Sequence, residues 1–185
     1  MPFARKSSKP RAFLNEGGLF DYAVKALGRQ MRSEAELRRL MQKRVEPGAR
    51  GEAAIQTVVA RLKEYGYLDD KSFAETYARL RQQNERLGER RVRQDLKQKG
   101  VHDAVIAETL ETRYGQTDEE ALAREHLARK RLGKPANEKE TARVMRRLVA
   151  AGFSTGTIYK ILRQWDLPDE ALAVLDNLDE EPHEE

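Results

Sequence analysis

The chain has 185 residues, of which 36% are charged and 6% aromatic, so it has little material for one large apolar core. It contains no cysteine, which excludes disulfides, thiolate catalysis and thiolate metal sites. The net charge is +4, but residues 166–185 hold nine acids and no lysine or arginine, which leaves residues 1–165 at +13. We therefore expect the basic part of the chain to be attracted to nucleic acid or another polyanionic surface.

The two ends of the chain differ in charge from each other. Residues 1–18 carry four basic side chains and no apolar stretch of the kind a secretory signal needs, and we interpret them as a flexible basic tail. Residues 166–185 are expected to form an acidic tail, in which "EALAVLDNL" makes a short helix that caps the last repeat. No apolar run approaches the roughly 20 residues of a membrane-spanning helix, so the expected location is cytoplasmic.

Between the tails, apolar residues follow helical spacing and recur with a period of about 50 residues. Repeats of this length are typical of stacked helical units that are each too small to bury a core alone. The sequence therefore predicts an all-α protein of three tandem three-helix repeats that form an elongated curved array, at residues 19–68, 69–115 and 116–165. The recurrence is clearest for Val92, Leu96, Gly100, Val101, Ile106 and Leu110, which return 52 residues later as Val144, Leu148, Gly152, Phe153, Ile158 and Leu162.

The first repeat is expected to contain helices at about 19–30, 33–45 and 52–65. Ser33 and Glu36 in "SEAE" form a capping-box pattern at the start of the second of these helices. In this copy the turn is expanded into "VEPGARGE", which predicts a loop at residues 45–52.

The second repeat opens with two adjacent carboxylates, Asp69 and Asp70, in "YLDD". Leu68 and Phe73 have the spacing of a hydrophobic staple around Asp69 as the N-cap, with Asp70 at the positive end of the helix dipole. A metal-dependent hydrolase would need these acids and Glu75 to converge on one cation, yet neighbouring residues at a helix start point in different directions. We therefore predict helix capping, and no enzyme activity, catalytic residue, metal or cofactor.

Four aromatic residues around this motif, Tyr65, Tyr67, Phe73 and Tyr77, have the composition of a base-stacking surface. Leu68, Phe73, Tyr77 and Leu80 nevertheless follow a staple and then helical spacing, which favours the core. Downstream, glycines at the ends of two helices suit a left-handed C-cap, and the next helices are expected to begin at His102 or Asp103 and after Ser154. The two glycines are Gly100 and Gly152.

A dense run of basic residues extends from Arg79 to Lys99, with eight basic side chains against three acids. If Gly88 opens a helix whose Val92 and Leu96 face the core, a flank of that helix carries three basic residues at helical spacing. These are Arg90, Arg93 and Lys97. The run is either a stripe that binds a polyanion or an acidic patch, or a solvated face with local ion pairs, and the pattern alone leaves both interpretations open.

The central stretch "GYLDDKSFAETYARLRQQNERLGERRVRQDLKQKG" resembles the signature of the RecX regulatory proteins, bacterial modulators of the RecA recombinase. The matching positions are Gly66 to Asp70, Phe73, Ala74, Tyr77, Arg79, Arg81, Gly88, Arg91, Val92, Lys99 and Gly100. Weaker similarity extends over residues 19–165.

The resemblance implies a non-enzymatic protein that binds along the groove of the RecA–DNA filament. It would inhibit ATP hydrolysis and strand exchange, in DNA repair and the SOS response. The alternative is a DNA-binding protein that competes for the strand through its basic helical face. We expect a monomer with no membrane partner and with DNA as a possible direct partner. The predicted partner-binding residues are Arg79, Arg81, Arg90, Arg91, Arg93 and Lys97.

Overall fold

The computed structural model describes residues 12–165, and all regular secondary structure in that range is helical, which confirms the predicted all-α class. The chain divides into two compact units, the first ending at Phe73 and the second beginning at Ala74. The basic segment 1–11 and the acidic tail 166–185, with its predicted capping helix, lie outside the described residues. The helices are α1 (Glu16–Arg29), α2 (Glu34–Gln42), α3 (Ala49–Glu64), α4 (Asp70–Leu80), α5 (Glu89–Gln98), α6 (Asp103–Tyr114), α7 (Glu119–Arg129), α8 (Glu138–Ala150) and α9 (Thr155–Arg163), with a π-helical turn (Arg81–Glu85) after α4.

In the first unit, α1, α2 and α3 pack against one another around a shared apolar core. The predicted capping box is present, because the Ser33 hydroxyl accepts the Glu36 N–H and the Glu36 carboxylate accepts the Ser33 N–H. Helix α1 begins three residues earlier than predicted because Asn15 caps it, accepting the Gly18 N–H at 2.9 Å. The fully buried core side chains include Leu19, Leu37, Met41, Val58 and Leu62.

The loop predicted at residues 45–52 is shorter in the structure, since α3 already begins at Ala49. The reason is Gly51, whose missing side chain lets the first turn of α3 lie directly against the chain that leads into it. A Cβ at this position would overlap the Glu46 carbonyl oxygen and lie 2.9 Å from Val45. The expanded segment therefore folds back on itself and becomes helical sooner than its Pro-Gly composition indicates.

In the second unit, the residues that recur between the second and third repeats are the core residues. Val92, Leu96, Ile106 and Leu110, and their counterparts 52 positions later, are all buried. Gly100 and Gly152 both have positive φ, +77° and +84°, as predicted for left-handed helix ends. Helix α6 begins at Asp103, with the His102 ring as its cap, and α9 begins after Ser154, as expected.

One predicted core residue, Leu80, is exposed in the structure at 41%. The buried face of α4 contains Phe73, Ala74 and Ala78, and a position two residues after Ala78 points to the opposite side of a helix. Tyr77 is partly buried, because its hydroxyl reaches a polar partner on α5. The staple-and-helix spacing therefore predicted the buried residues at the start of α4 correctly, but its prediction that Leu80 in the last turn is buried was wrong.

Helix α5 and the turn between α8 and α9 meet backbone to backbone at two glycines. The Gly88 N–H donates to the Ala151 carbonyl at 2.8 Å. A Cβ on Gly88 would lie 2.6 Å from the Gly152 carbonyl carbon, and a Cβ on Gly152 would lie 2.5 Å from Arg91 Cβ. Contact this close requires glycine on both sides, and it places the arginine-rich start of α5 next to the end of α8.

Helix α9 is capped from a neighbouring helix by Glu119, in the first turn of α7. One carboxylate oxygen accepts the Ser154 N–H at 2.9 Å, and the other accepts the hydroxyls of Ser154 at 2.5 Å and Thr157 at 2.6 Å. Burial raises the pKa of Glu119, but hydrogen bonds from Ser154 and Thr157 outweigh burial and hold that pKa below its ordinary value.

We expect Glu119→Gln to lower the free energy of unfolding by about 1–2 kcal/mol at pH 7, because an amide cannot accept all three bonds. The folded-state pKa lies below the ordinary value of 4.5, so the stabilisation by Glu119 is present above pH 4.5 and is lost as pH falls through the folded-state pKa. The difference between wild type and variant in urea unfolding should therefore shrink below pH 4.5. Glu111→Gln, at an exposed position of α6, is the control and should change little. A difference that stays constant with pH would contradict the assigned role.

Candidate functional site

The six predicted partner-binding residues all lie between the last turn of α4 and the last turn of α5. Arg79 is an exposed residue of α4 and lines a cavity of about 300 Å³ with residues of α6. Arg81 begins the π-helical turn, and the other four are on α5. The structure brings two of the six, Arg81 and Arg91, together around one carboxylate.

That carboxylate is Asp95, whose side chain is only 10% exposed. Its Oδ1 lies 3.0 Å from Arg91 Nε, and its Oδ2 accepts the Tyr77 hydroxyl at 3.1 Å and lies 3.9 Å from Arg81 Nε. The Arg81 guanidinium also stacks over the Tyr77 ring, 4.8 Å from its centroid. Burial raises the pKa of Tyr77, which keeps its hydroxyl protonated as the donor. One buried carboxylate thus attracts both guanidinium groups and restricts their orientations.

The predicted stripe on α5 consists of exposed or half-buried residues with local ion pairs. Arg93 Nη2 lies 2.6 Å from a carboxylate oxygen of Glu89, and Lys97 Nζ lies 3.3 Å from Asp103 Oδ1. Arg90 is exposed and has no ion pair within the described range. Solvent-exposed pairs of this kind contribute little to stability, so their basic groups can be shared with a partner at small cost.

Two basic residues that the sequence patterns did not indicate share a cavity with Arg81 and Arg91. Lys130, just after α7, and Arg147, in the last turn of α8, line the same cavity of about 290 Å³. A second cavity of about 200 Å³ lies next to it and is lined by Arg90, Arg91 and residues of the α8–α9 turn. The recurring positions of the repeats lie in the core, so they gave no indication of contacts between these surface residues. The sequence feature that could have indicated these contacts was the glycine pair at positions 88 and 152.

The two aspartates of the "YLDD" motif cap the N-terminal ends of two helices, α4 and α2. Asp69 caps α4 as predicted, since its carboxylate accepts the Lys71 N–H at 2.9 Å and the Ser72 hydroxyl at 2.6 Å, and the bond from Ser72 lowers its pKa. Asp70 does more than meet the helix dipole, because its Oδ1 accepts the Glu34 N–H at 2.8 Å and so caps α2 as well. Burial raises the pKa of Asp70. Within residues 12–165 no three histidine, aspartate or glutamate side chains come together as metal ligands.

The aromatic residues near this motif are divided between core and surface. Phe73 is buried, whereas Tyr65 and Tyr67 are more than half exposed. The Tyr65 ring makes an edge-on contact with Phe20 at 6.0 Å between centroids. In the described part of the chain, no helix is both long and apolar enough to span a membrane.

Comparisons with known proteins identify the family. A family model described as the second three-helix domain of RecX matches residues 69–110, which include all six predicted partner-binding residues. The regulatory protein RecX of Mycolicibacterium smegmatis is 30% identical over 167 residues, covering 88% of this chain and 86% of that protein. The chain belongs to the RecX family. RecX of Leptothrix cholodnii is 34% identical over 145 residues, covering 78% of this chain and 87% of that protein.

Other RecX proteins differ in length or are more distant in sequence. The chain spans only 59% and 54% of the longer RecX proteins of Bacillus velezensis and Oceanobacillus iheyensis. A crystal structure of regulatory protein RecX shares the fold with a TM-score of 0.63 at 21% identity, over 80% of this chain and 73% of that one. The crystal structure of RecX from Lactobacillus salivarius gives a TM-score of 0.61 at 21% identity, over 83% of this chain and 97% of that one.

Proposed function

We propose that this RecX-family chain is a non-enzymatic regulator that binds the RecA–DNA filament and inhibits ATP hydrolysis and strand exchange. Membership of a family of regulatory proteins supports this proposal, and the matched segment carries the basic residues expected to face the filament. The observation that carries it is the Asp95 cluster, in which a buried carboxylate holds Arg81 and Arg91 in place at the surface. Fixed guanidinium groups bind carboxylates and phosphates with less loss of side-chain entropy than mobile ones.

The residues proposed to contact the partner are Arg79, Arg81, Arg90, Arg91, Arg93 and Lys97.

A direct role for DNA is the second candidate function, and the charge of the second unit favours it. Residues 74–165 contain 20 basic and 13 acidic side chains, a net charge of +7, whereas residues 12–73 carry only +2. Binding to DNA through phosphate contacts weakens steeply with salt, which separates this function from a contact with the recombinase alone.

The test of the main proposal is DNA-dependent ATP hydrolysis by the cognate recombinase, measured with increasing amounts of this protein. We expect inhibition at or below one molecule per recombinase protomer, and no inhibition at that ratio would refute the proposal. A triple charge reversal, Arg90→Glu, Arg93→Glu and Lys97→Glu, should weaken inhibition by about tenfold or more, because each contact becomes a repulsion. Helical content by circular dichroism should be unchanged.

A matched control reverses three exposed basic residues on α8, Lys139, Arg143 and Arg146, whose first and last members are seven residues apart, as in the α5 triple. Net charge is then equal in the two triple variants, so a general electrostatic effect weakens both alike. Inhibition that falls only in the α5 variant supports a binding surface on α5. Equal losses would remove the α5 stripe from the proposed site.

A further inference from the structure

A cavity of about 290 Å³ in the second unit has a lining that is rich in positive charge. It lies beside the backbone crossing of α5 with the α8–α9 turn, and the end of α7 contributes to its wall. The basic residues in its lining are Arg81, Arg91, Lys130 and Arg147, and the acidic ones are Glu85 and Asp95. The lining thus has two more basic groups than acidic ones, and these groups come from parts of the chain up to 66 positions apart.

The two acids of the lining are already engaged by the first two arginines. Asp95 binds Arg91 and Arg81, and Glu85 forms an ion pair with Arg81. Lys130 and Arg147 have no ion pair anywhere in the described range. Since like charges facing one cavity repel each other, an anion that enters from outside gains favourable interactions with both.

The buried ring of His126 forms part of the wall and is only 2% exposed. Its Nδ1 lies 3.0 Å from the Glu85 carbonyl oxygen, which assigns the proton to Nδ1, while Nε2 has no hydrogen-bond partner in the described range. Burial lowers the pKa of His126, and the charges of Lys130 and Arg147 lower it further. The ring is therefore neutral at pH 7, and the positive charge of the cavity resides on the lysine and the arginines. A water molecule that enters with an anion can satisfy Nε2.

The composition of the lining favours a phosphate over an acidic protein side chain. Energetically dominant contacts between proteins are rich in tyrosine, tryptophan and arginine and poor in lysine. This lining contains neither aromatic residue but does contain Lys130, and lysine is a regular phosphate ligand. The surrounding unit, residues 74–165, carries the larger share of the positive charge at +7.

We propose that this cavity binds a phosphate group of a nucleic acid backbone, through Lys130 and Arg147 together with the Arg81 and Arg91 pair that Asp95 orients. The inference rests on the proposed function only in that the filament contains DNA. It adds two residues from outside the matched segment 69–110. The site therefore combines residues of two successive helical repeats and would not be complete in either one alone.

The test uses Lys130→Gln/Arg147→Gln, since both side chains lie at exposed positions and lack ion pairs within the described range. The probe is a fluorescein-labelled single-stranded oligonucleotide, followed by anisotropy in the absence of recombinase at several salt concentrations. We expect about tenfold weaker binding than wild type, the loss of one charge-assisted contact or more. The slope of log affinity against log salt should become shallower by about one.

The matched control is Arg129→Gln/Arg146→Gln, which removes the same charge one position earlier on each of the two segments. Neighbouring positions on a helix point in directions about 100° apart, and neither Arg129 nor Arg146 lines the cavity. We expect less than about twofold loss for this control. Equal losses in both double variants would indicate diffuse attraction and overturn the proposal. Wild-type affinity in Lys130→Gln/Arg147→Gln would overturn it too.

Two further outcomes separate this proposal from the proposed function. If Lys130→Gln/Arg147→Gln keeps its affinity for DNA but binds the recombinase filament more weakly, the cavity receives an acidic protein group and the phosphate proposal is wrong. If the wild type does not inhibit the recombinase, yet this variant loses affinity for DNA and the control does not, the phosphate site stands and the proposed function fails. A wild type that does not bind DNA at low salt refutes the phosphate site alone.

Discussion

Replacing Gly152 with alanine is expected to lower the free energy of unfolding by about 3 kcal/mol or more. The backbone of Gly152 has φ of +84°, a conformation that strains any residue with a side chain. A Cβ would also lie 2.5 Å from Arg91 Cβ and 2.8 Å from Arg91 Cα. Because those atoms belong to the main chain of α5 or are attached directly to it, no side-chain rotation relieves the overlap, and α5 would have to move.

Two alanine controls separate the backbone strain from the overlap. Gly66 has φ of +70°, but a Cβ added there would meet nothing within 4 Å, so Gly66→Ala should cost only about 1 kcal/mol. Gly156, in the first turn of α9, has open space and no positive φ, so Gly156→Ala should be neutral or stabilising by up to about 1 kcal/mol. The measurement is urea unfolding followed by circular dichroism. A cost for Gly152→Ala no larger than that for Gly66→Ala would show that the helices yield at the crossing.

The parts of the fold that could be predicted from sequence are those governed by local rules. Buried residues recur because both repeats solve the same packing problem, as Val92 and Val144 illustrate. Helix starts were predicted at Ser33, Asp69 and Ser154 because an N-cap side chain bonds to N–H groups only two or three residues away. Such contacts leave their pattern in a short stretch of sequence.

The parts that escaped prediction depend on contacts between distant positions. Asp70 caps α2 through Glu34, which is 36 residues away, and no spacing rule connects the two. Lys130 and Arg147 join Arg81 and Arg91 only because α5 crosses the end of α8 at two glycines. The charge run made α5 a candidate surface, but composition does not tell which basic groups are held by an acid and which are free.

The second large effect is expected for Asp95→Ala, which should lower the free energy of unfolding by about 2–3 kcal/mol. Breaking a fully buried ion pair costs about 3–5 kcal/mol. The expected cost of Asp95→Ala is smaller, because Arg81 and Arg91 keep side-chain exposures of 33% and 44% and water can partly hydrate them once the carboxylate is removed. Tyr77→Phe is the control, since it removes the hydrogen bond from the tyrosine hydroxyl to Asp95 but keeps Asp95 beside both arginines, and it should cost about 1 kcal/mol. Equal costs for the two variants would mean that the arginines do not depend on Asp95.

The conservative change Asp95→Asn distinguishes orientation from net charge at the proposed phosphate site. It removes a negative charge beside Arg81 and Arg91, so if net charge alone governed DNA binding, affinity would rise. If the arginines act because Asp95 orients them, their loss of order weakens binding despite the added positive charge. We expect weaker binding in the anisotropy assay, measured at a temperature where circular dichroism shows the variant to be folded. Tighter binding would mean that Asp95 restrains the arginines from DNA and does not position them for it.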